Sequence, residues 1–375
     1  MTNVRVVSLA VGDGACSVVA PWPLNTPGPV GIIDCGVRRA KLSDAADMLL
    51  RELHHDLRQV DAVVVSHFDW DHWGGLKHLA SRKLGDPDLG SVPLYYPTMP
   101  LRLQVTVMAF LGPMRGSGVG ALDLKAALAP LQAPGHAVVL TPCHTGGPDI
   151  VVGGELFEVI WPPQVLPPAM GESLAEAVGE AATLAADLAE AGYPQLQERI
   201  DDVYASTSGL PAVTEQVPRP ASSDLDHLEP HVDEGSEGEQ EIVADDGMNS
   251  DDSFQMRELP PEWRETYRRV LNKVRAANNN LSLVLASRSS ALVTFGDLGG
   301  PPLRHLGVSL KHRYFRVMLA PHHGTYPLPN DMPAAKWCVA QNGKDHVVGW
   351  RAHHVSPSTH ATRCYSTHES GTFTH

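Results

Sequence analysis

The chain has 375 residues, of which 43% are hydrophobic, so it is long enough to form one large domain or two modest ones around a substantial core. Its five cysteines are scattered and include no CxxC pair, which argues against a disulfide framework or a thiolate zinc site and fits a reducing, cytoplasmic compartment. The formal charge of −14 is concentrated between positions 221 and 252, where twelve acidic residues and no Lys or Arg occur. Without that segment the charge of the chain is −2, so no global basic field attracts nucleic acid.

Short apolar runs in the first half of the chain predict strands. Runs at positions 4–9 and 15–19 flank a Val-Gly-Asp-Gly turn that favours a hairpin, and a run at 31–34 leads into an Asp-Cys-Gly turn. Helical spacing over 43–57 precedes an apolar strand at 62–65, and helices are predicted at 76–84 and within 101–131. A strand at 156–161 closes this first half, which we place at residues 1–163.

A helical insertion is predicted at residues 164–277. Its part from 172 to 191 is rich in Ala and Glu with helical periodicity, and its segment 220–253 has the acidic, apolar-poor composition of a disordered chain. Two prolines at 260 and 261 open a further helix that extends to residue 277. Strand-like runs return at 281–286, 291–295 and 317–320, so residues 278–375 form a second strand-rich half.

The densest group of candidate metal ligands lies at residues 66–75, which read Ser-His-Phe-Asp-Trp-Asp-His-Trp-Gly-Gly. His67, Asp69, Asp71 and His72 come directly after the predicted strand at 62–65, where open α/β sheets usually place their sites. Imidazole and carboxylate together suit Zn, Mn or Fe better than a thiolate structural zinc. A solvated polar turn is the alternative, but such a turn needs neither four potential ligands nor the Gly-Gly pair.

This run resembles the HxHxDH motif of the metallo-β-lactamase fold hydrolases, with Asp69 in place of the second His. The resulting HxDxDH pattern is similar to that of the ComEC-type branch, a hydrolase domain linked to DNA uptake, and to that of the phosphorylcholine esterases. The resemblance implies an α/β fold, a four-layered αββα sandwich with its site at one edge of two sheets. Here the helical insertion with its acidic, disordered segment would interrupt that sandwich.

The resemblance assigns roles to three further segments. Asp297, in a Gly-Asp pair after a strand, would bridge two metals. His322 and His323, in a Pro-His-His-Gly-Thr run, would supply one metal ligand and one neighbour that touches substrate. Because adjacent side chains on an extended chain point in opposite directions, the sequence leaves open which of them is the ligand. Asp34, in an Asp-x-Gly run, would support the ligand loop through hydrogen bonds.

Two other histidines match the family less fully. His144 lies in Thr-Pro-Cys-His-Thr-Gly-Gly, which is similar to a loop that supplies a third His ligand in many of these hydrolases, although Cys143 stands where they have Gly. An ordinary polar loop is the equal alternative for this segment. His354 resembles the His of the family's Gly-His-Pro stretch, with the Pro displaced, and would contact a phosphate or donate a proton.

Together these residues predict a hydrolase with two divalent ions, Zn or Mn. The resemblance implies that His67 and Asp69, with or without His144, bind the first metal. The second metal would be bound by Asp71, by His72 and by one of His322 and His323. Asp297 would bridge the two metals. Two such ions about 3.5–4 Å apart activate a water and stabilise the attacking and leaving oxygens. Asp69 makes the first site harder, which suits a phosphoester oxygen, and Asp71 could orient the water.

The predicted function is a two-metal phosphodiesterase or nuclease acting on DNA or a nucleotide, because the ComEC-type resemblance supplies that substrate class. One alternative is a lactonase, thioesterase or phosphorylcholine esterase-like hydrolase on the same fold, which a functional His144 would favour. The other is an interaction protein of a multi-protein system, such as phage defence, that recruits a protein partner through the acidic insertion. No run of 18 apolar residues occurs and the N-terminus lacks the apolar core of a signal peptide, so no membrane segment is predicted.

Overall fold

The computed structural model describes residues 4–21, 28–38, 42–83, 87–111, 120–209, 259–354 and 360–375. The acidic segment 220–253 lies outside these residues, so its predicted disorder stays a prediction. Within the described residues, no helix combines the length and apolarity needed to cross a membrane.

Fourteen strands of the described chain form two sheets. They are β1 (Val4–Ser8), β2 (Cys16–Pro21), β3 (Val30–Cys35), β4 (Val60–Val64), β5 (Val92–Pro97), β6 (Val138–Cys143), β7 (Ile150–Val152), β8 (Glu155–Trp161), β9 (Val284–Ser287), β10 (Leu292–Thr294), β11 (Tyr314–Leu319), β12 (Ala334–Ala340), β13 (Ala361–Ser366) and β14 (Phe373–Thr374). The first sheet has the order β14-β1-β2-β3-β4-β5-β6, and the second has the order β13-β12-β11-β10-β9-β8-β7. The predicted hairpin is confirmed, since β1 and β2 pair antiparallel.

Helices cover the outer faces of both sheets. They are α1 (Leu42–Glu52), α2 (Trp70–Arg82), α3 (Leu101–Leu111), α4 (Gly120–Leu128), α5 (Pro168–Glu190), α6 (Gln195–Ala205), α7 (Pro261–Asn279), α8 (Gly300–Leu310), α9 (Val347–His354) and α10 (Thr367–Ser370). Helices α1 to α7 share one apolar cluster with the first sheet, whereas α8 and α9 share another with the second. The helices α5 to α7 of the predicted insertion therefore lie on the first sheet's side.

A third apolar cluster lies between the sheets and holds them together. Val6 and Ile33 of the first sheet meet Phe157, Leu285 and Val317 of the second in this cluster, and each of them is at most 2% exposed. Side chains of a strand alternate between its two faces, so each sheet contributes one apolar face to this layer and the other to a helical layer. The predicted αββα order of layers is confirmed.

Helix α2 begins earlier than its sequence pattern predicts. The apolar spacing predicts a helix from residue 76, but α2 starts at Trp70 and includes Asp71 and His72 in its first turn. The polar motif masks the helical signal, because Asp and His interrupt the apolar periodicity on which that signal depends. As a result, half of the HxDxDH motif lies on a rigid helix rather than in a loop.

Candidate metal centre

The carboxyl ends of parallel strands from both sheets meet at one edge of the sandwich. In the first sheet β3 to β6 run parallel, and in the second β10 to β13 do so. Asp34 lies at the end of β3, the HxDxDH motif follows β4, Asp297 follows β10, and the His322-His323 pair follows β11. The topology thus brings residues from both halves of the chain to a single place.

Asp34 is the anchor of the motif. Its Oδ1 accepts a hydrogen bond from the Ser66 amide at 2.7 Å, and its Oδ2 accepts one from the Ser66 hydroxyl at 2.8 Å. The same Oδ2 lies 2.9 Å from Nδ1 of His72, which donates to it. The carboxylate therefore fixes the proton of His72 on Nδ1 and leaves Nε2 free to bind a metal. This geometry matches the supporting role that the family resemblance implies for Asp34.

Two other imidazoles are held in the same way. Nδ1 of His323 donates to the carbonyl oxygen of Gln341 at 2.7 Å, and Nδ1 of His67 lies 3.1 Å from the Ser66 hydroxyl. Both side chains are almost completely buried. Each ring is thus bound at Nδ1 and directs Nε2 toward the interior of the site, which is the arrangement usual for metal-binding histidines.

The backbone at His322 and His323 differs from the extended chain that the sequence argument assumes. Both residues have positive φ, 47° and 56°, within the short turn Pro321–Gly324 that follows β11. Their side chains therefore do not point in opposite directions, and their ring centroids lie 6.1 Å apart. The extended-chain assumption was wrong, because the left-handed turn brings both rings to the same side of the backbone.

Asp297 lies at the centre of the site. Its Oδ1 is 3.2 Å from Nε2 of His72, and its Oδ2 is 3.4 Å from Nε2 of His323. Nε2 of His67 and of His322 each lie 3.9 Å from the same Oδ2. The amide of Asp297 donates to the Ser282 hydroxyl, which fixes the turn that follows β10. One carboxylate thus faces four imidazole nitrogens.

Two overlapping groups of buried side chains could each hold a metal ion. His67, His72 and Asp297 form one, and Asp71, His72 and His323 form the other, with the ligand atoms of each group within 4.8 Å of one another. Nε2 of His67 and Oδ1 of Asp297 are buried without a hydrogen-bond partner. Burying such polar atoms without a partner costs free energy unless a ligand binds them. Imidazole nitrogen and carboxylate oxygen are ligands that suit Zn or Mn. The residues therefore fit a divalent cation.

The charges of the site support the same interpretation. Burial lowers the pKa of His72, but the carboxylates of Asp297 and Asp34 outweigh this and hold that pKa well above its ordinary value. Against the same effect of burial, Asp297 and Asp71 raise the pKa of His323 to about 10. Burial raises the pKa values of Asp71 and Asp297, yet the neighbouring histidines hold both well below their usual range. Protonated imidazoles thus supply, beside these carboxylates, the positive charge that a bound metal ion would otherwise supply.

Metal binding should release protons and weaken in acid. An imidazole nitrogen must be neutral to bind a metal, and the pKa of His323 is about 10 in the metal-free protein. Between pH 6 and pH 8 the apparent affinity for Zn should therefore rise about tenfold per pH unit for each proton released. Isothermal titration calorimetry in two buffers of different ionisation enthalpy counts these protons. An affinity that does not change with pH would contradict the prediction.

The remaining members of the motif lie beside these groups. Oδ2 of Asp71, in the first turn of α2, is 3.3 Å from Nε2 of His323. Oδ2 of Asp69 is 3.7 Å from Nε2 of His67, but Asp69 belongs to neither of the two groups. His322 is also outside both groups, and its Nδ1 is hydrogen-bonded to the Thr325 hydroxyl. Asp69 as a ligand stays a prediction, and His323 is better placed than His322.

The sequence analysis assigns two further histidines to the site, and the described residues do not show either of them in the centre. His144 is in neither group, and its Nδ1 donates to the carbonyl oxygen of Thr145 at 3.0 Å. Its role as a third ligand therefore stays a prediction. His354 is the last residue of α9, and its side chain lies outside the described part of the chain, so its proposed contact with phosphate also stays a prediction.

Sequence reasoning missed His346, which the structure places against the centre. Its ring stacks on that of His323 with the centroids 4.8 Å apart and the planes at 4°. Burial, together with the charges of His323 and His322, lowers the pKa of His346 to about 3, so the ring is neutral. The missed signal was its position: His346 comes shortly after β12, at the same sheet edge as the other site residues.

The glycine of the Asp-x-Gly run allows α2 to contact β3. A Cβ placed on Gly36 would lie 2.3 Å from the carbonyl carbon of Asp71 and 2.5 Å from the amide of His72. The chain therefore has no room for a side chain between the end of β3 and the first turn of α2.

Replacing Gly36 with Ala should displace the first turn of α2 and separate His72 from Asp34. We expect the free energy of unfolding to fall by about 1–3 kcal/mol, as overpacking usually costs, and the bound metal to decrease. Chemical denaturation and elemental analysis measure the two effects. Gly90→Ala is the matched control, since a Cβ there meets no atom within 4 Å. Full metal content in Gly36→Ala would show that this close contact does not position the ligands.

One family model matches part of the chain, in the range that carries the HxDxDH motif. The model of the metallo-beta-lactamase superfamily matches residues 10–164, a range that contains the HxDxDH motif and Asp34 but ends before Asp297. No curated protein matches the chain. Among solved structures, the chain is similar to the metallo-beta-lactamase fold protein YhfI from Bacillus subtilis, at 13% identity and a TM-score of 0.25, over 42% of this chain and 53% of that one. The chain thus spans about half the length of that protein. Residues 10–164 are thus similar to the metallo-beta-lactamase superfamily, and the two sheets with their outer helices have the metallo-beta-lactamase fold.

Proposed function

We propose that this protein is a metal-dependent hydrolase of the ComEC-like type, a phosphodiesterase that uses two divalent ions on a nucleic acid or a nucleotide. The observation that carries this proposal is the position of Asp297, whose carboxylate lies within 3.2–3.9 Å of Nε2 of four histidines. A carboxylate with ligand nitrogens on several sides is suited to bridge two cations. His67 and Asp69 would hold one ion, and Asp71, His72 and His323 the other.

The ions would supply a hydroxide nucleophile at neutral pH and stabilise the charge on the attacking and leaving oxygens. The chain's own residues prepare for this chemistry. Asp34 and the Gln341 carbonyl keep the protons of His72 and His323 on Nδ1, so that both rings present a neutral Nε2 when a metal replaces the second proton. Asp71, whose Oδ2 lies 3.3 Å from Nε2 of His323, would orient the nucleophile.

Within the part of the chain that the structure describes, no contact favours a lactonase-type site over this proposal. A third His ligand at His144 is the feature that would favour a lactonase, and His144 belongs to neither of the two groups of candidate ligands among the described residues. The carboxylates of Asp69, Asp71 and Asp297 give the site a hard, anionic ligand set, which suits ions that bind phosphoester oxygens.

The test compares the native protein with Asp71→Ala. Metal content is measured by elemental analysis, and hydrolysis is measured on a bis-aryl phosphodiester and on labelled single- and double-stranded DNA, with Mn and Zn added separately. Metal-dependent cleavage by the native protein, lost in the variant, is the expected result. Asp187→Ala is the matched control, because Asp187 is exposed on α5 and far from the motif in sequence. Two bound metals without phosphodiester cleavage would overturn the proposal in favour of another hydrolase.

A further inference from the structure

Trp70 lies within the HxDxDH motif, between Asp69 and Asp71, at a position that supplies no metal ligand. It is the first residue of α2, and this end of α2 lies at the edge of the sandwich that carries the metal centre. Helical side chains tilt toward the N-terminus of their helix, so the indole of Trp70 extends toward that edge. Trp70 is only partly buried, whereas Trp73, one turn further along, is completely buried. Trp70 thus keeps part of its ring accessible beside the centre.

Two neighbouring side chains hold the ring of Trp70 in place. Its centroid lies 5.0 Å from that of Trp73 with the planes at 82°, which is an edge-to-face contact. Nζ of Lys77 lies 6.0 Å from the Trp70 ring and 5.9 Å from the Trp73 ring. Lys77 in turn pairs with Asp123 of α4, with Nζ and Oδ2 3.4 Å apart. A ring that is already held loses little conformational freedom when a ligand stacks on it.

Helix α2 presents two different faces at the centre. Trp70, Trp73 and Lys77 are spaced i, i+3 and i+7, so they share one face of the helix, which is turned toward α4. His72 directs its ring to the other side, where it contacts Asp34 and His323. The ring of Trp70 therefore flanks the metal ligands without occupying their place.

The charge beside the ring indicates which ligand the ring suits. The ammonium of Lys77 would repel a cationic group, such as choline, that approached the ring of Trp70. It favours an uncharged planar group that is attached to an anion. Nucleobases are such groups, and they stack on aromatic side chains whatever their sequence because every base has a π face.

We propose that Trp70 stacks on a planar aromatic group of the substrate, such as a nucleobase, that is attached to the phosphate bound at the metal centre. This assignment of a specificity residue rests on the proposed function for the phosphate group. The stack would stabilise the bound substrate and the transition state alike, so its loss should raise KM more than it lowers kcat.

The experiment measures by calorimetry how tightly the Mn-loaded protein binds inorganic phosphate and adenosine 5′-monophosphate. The native protein should bind the nucleotide about 5- to 100-fold more tightly than phosphate, as one aromatic stack on a base usually contributes. Trp70→Ala should lose this preference, and Trp70→Phe should keep most of it because Phe also offers a π face. The ratio of the two affinities is insensitive to any change that the substitution causes in the metal centre, since both ligands bind there through phosphate.

Trp263→Ala is the matched control. Trp263 is also a partly buried tryptophan, and it packs against the same apolar cluster as Trp70. It lies in the first turn of α7, about 24 Å along that helix from Asn279, whose end of the helix leads to the Ser282 contact with Asp297. This variant should keep the native preference for the nucleotide.

The outcomes separate this inference from the proposed function. A native protein that binds the nucleotide no more tightly than phosphate, or a Trp70→Ala variant that keeps the full preference, would overturn the stack. Phosphocholine is the third probe, and a Trp70-dependent preference for it would overturn the assignment in favour of a cation site. Nucleotide binding that depends on Trp70, without hydrolysis of any phosphodiester, would support the stack and contradict the proposed function.

A second variant decides the question if Trp70→Ala does not fold or does not bind metal. Trp70→Leu keeps an apolar contact with Trp73 but has no π face. Loss of the nucleotide preference in a folded, metal-loaded Trp70→Leu supports the inference, and a native-like preference overturns it.

Discussion

Asp297→Asn should abolish hydrolysis and reduce the bound metal from two ions to one or none. The substitution keeps the shape of the side chain and the backbone bond to Ser282, but it removes the charge that faces His72 and His323. An amide is a much poorer bridge between two cations than a carboxylate. We expect the rate to fall by at least about 1,000-fold, more than the 10–100-fold that loss of an outer partner usually costs.

Elemental analysis and steady-state kinetics on the bis-aryl phosphodiester measure both effects. Asp331→Asn is the matched control, since Asp331 is an exposed partner of Lys311 at 2.6 Å and its loss should leave metal and rate unchanged. Asp297→Asn with two bound ions and a rate within tenfold of native would show that Asp297 is not a bridging ligand.

Asp34→Asn should weaken metal binding by about 10–100-fold while the protein still folds. Asn tolerates the positive φ of 56° at this position, whereas most other residues would be strained there. Its amide oxygen can still accept from the Ser66 amide, but its NH₂ group would face Nδ1 of His72 and the Ser66 hydroxyl, where the carboxylate now accepts. His72 would have to place its proton on Nε2, the atom that must bind the metal.

Competition against a chelator of known affinity measures the change. Asp61→Asn is a close control, because Asp61 lies on the neighbouring strand β4 and its carboxylate also accepts from backbone amides, those of Gly153 and Gly154 at 2.8 and 2.9 Å. That change should affect stability without affecting metal affinity. Equal loss of metal in both variants would mean that the effect of Asp34 is general destabilisation rather than control of the His72 tautomer.

The HxDxDH motif could be found from the sequence because its signal is local. Four potential ligands lie within six positions directly after an apolar strand, and this pattern needs no knowledge of the rest of the chain. The layers of the fold followed from the same motif through the family resemblance, whereas strand periodicity alone predicted only strand-rich halves. Apolar runs placed most strands within a few residues of their observed ends, since burial on both faces of a sheet demands such runs.

The sequence pattern does not predict which residues that are far apart in the chain lie close together in the fold. Asp297 and His323 come from the second half, and only the pairing of parallel strands brings them to His67 and His72. Similarity to a short motif points to His354 near the C-terminus, whereas the structure places the His346 ring against the centre. A ring stack between two loops leaves no periodic trace in a sequence.

The sequence by itself therefore determined which chemistry is available: a dense set of imidazoles and carboxylates after a buried strand, which predicts a site for divalent metal ions. The tertiary structure decided which of those groups act together. The left-handed backbone at His322 and His323 directs both rings to one side, and Asp34 fixes the tautomer of His72. The first feature depends on a particular backbone conformation and the second on a particular contact. Both arise only when the two sheets pack face to face and bring their strand ends to one edge.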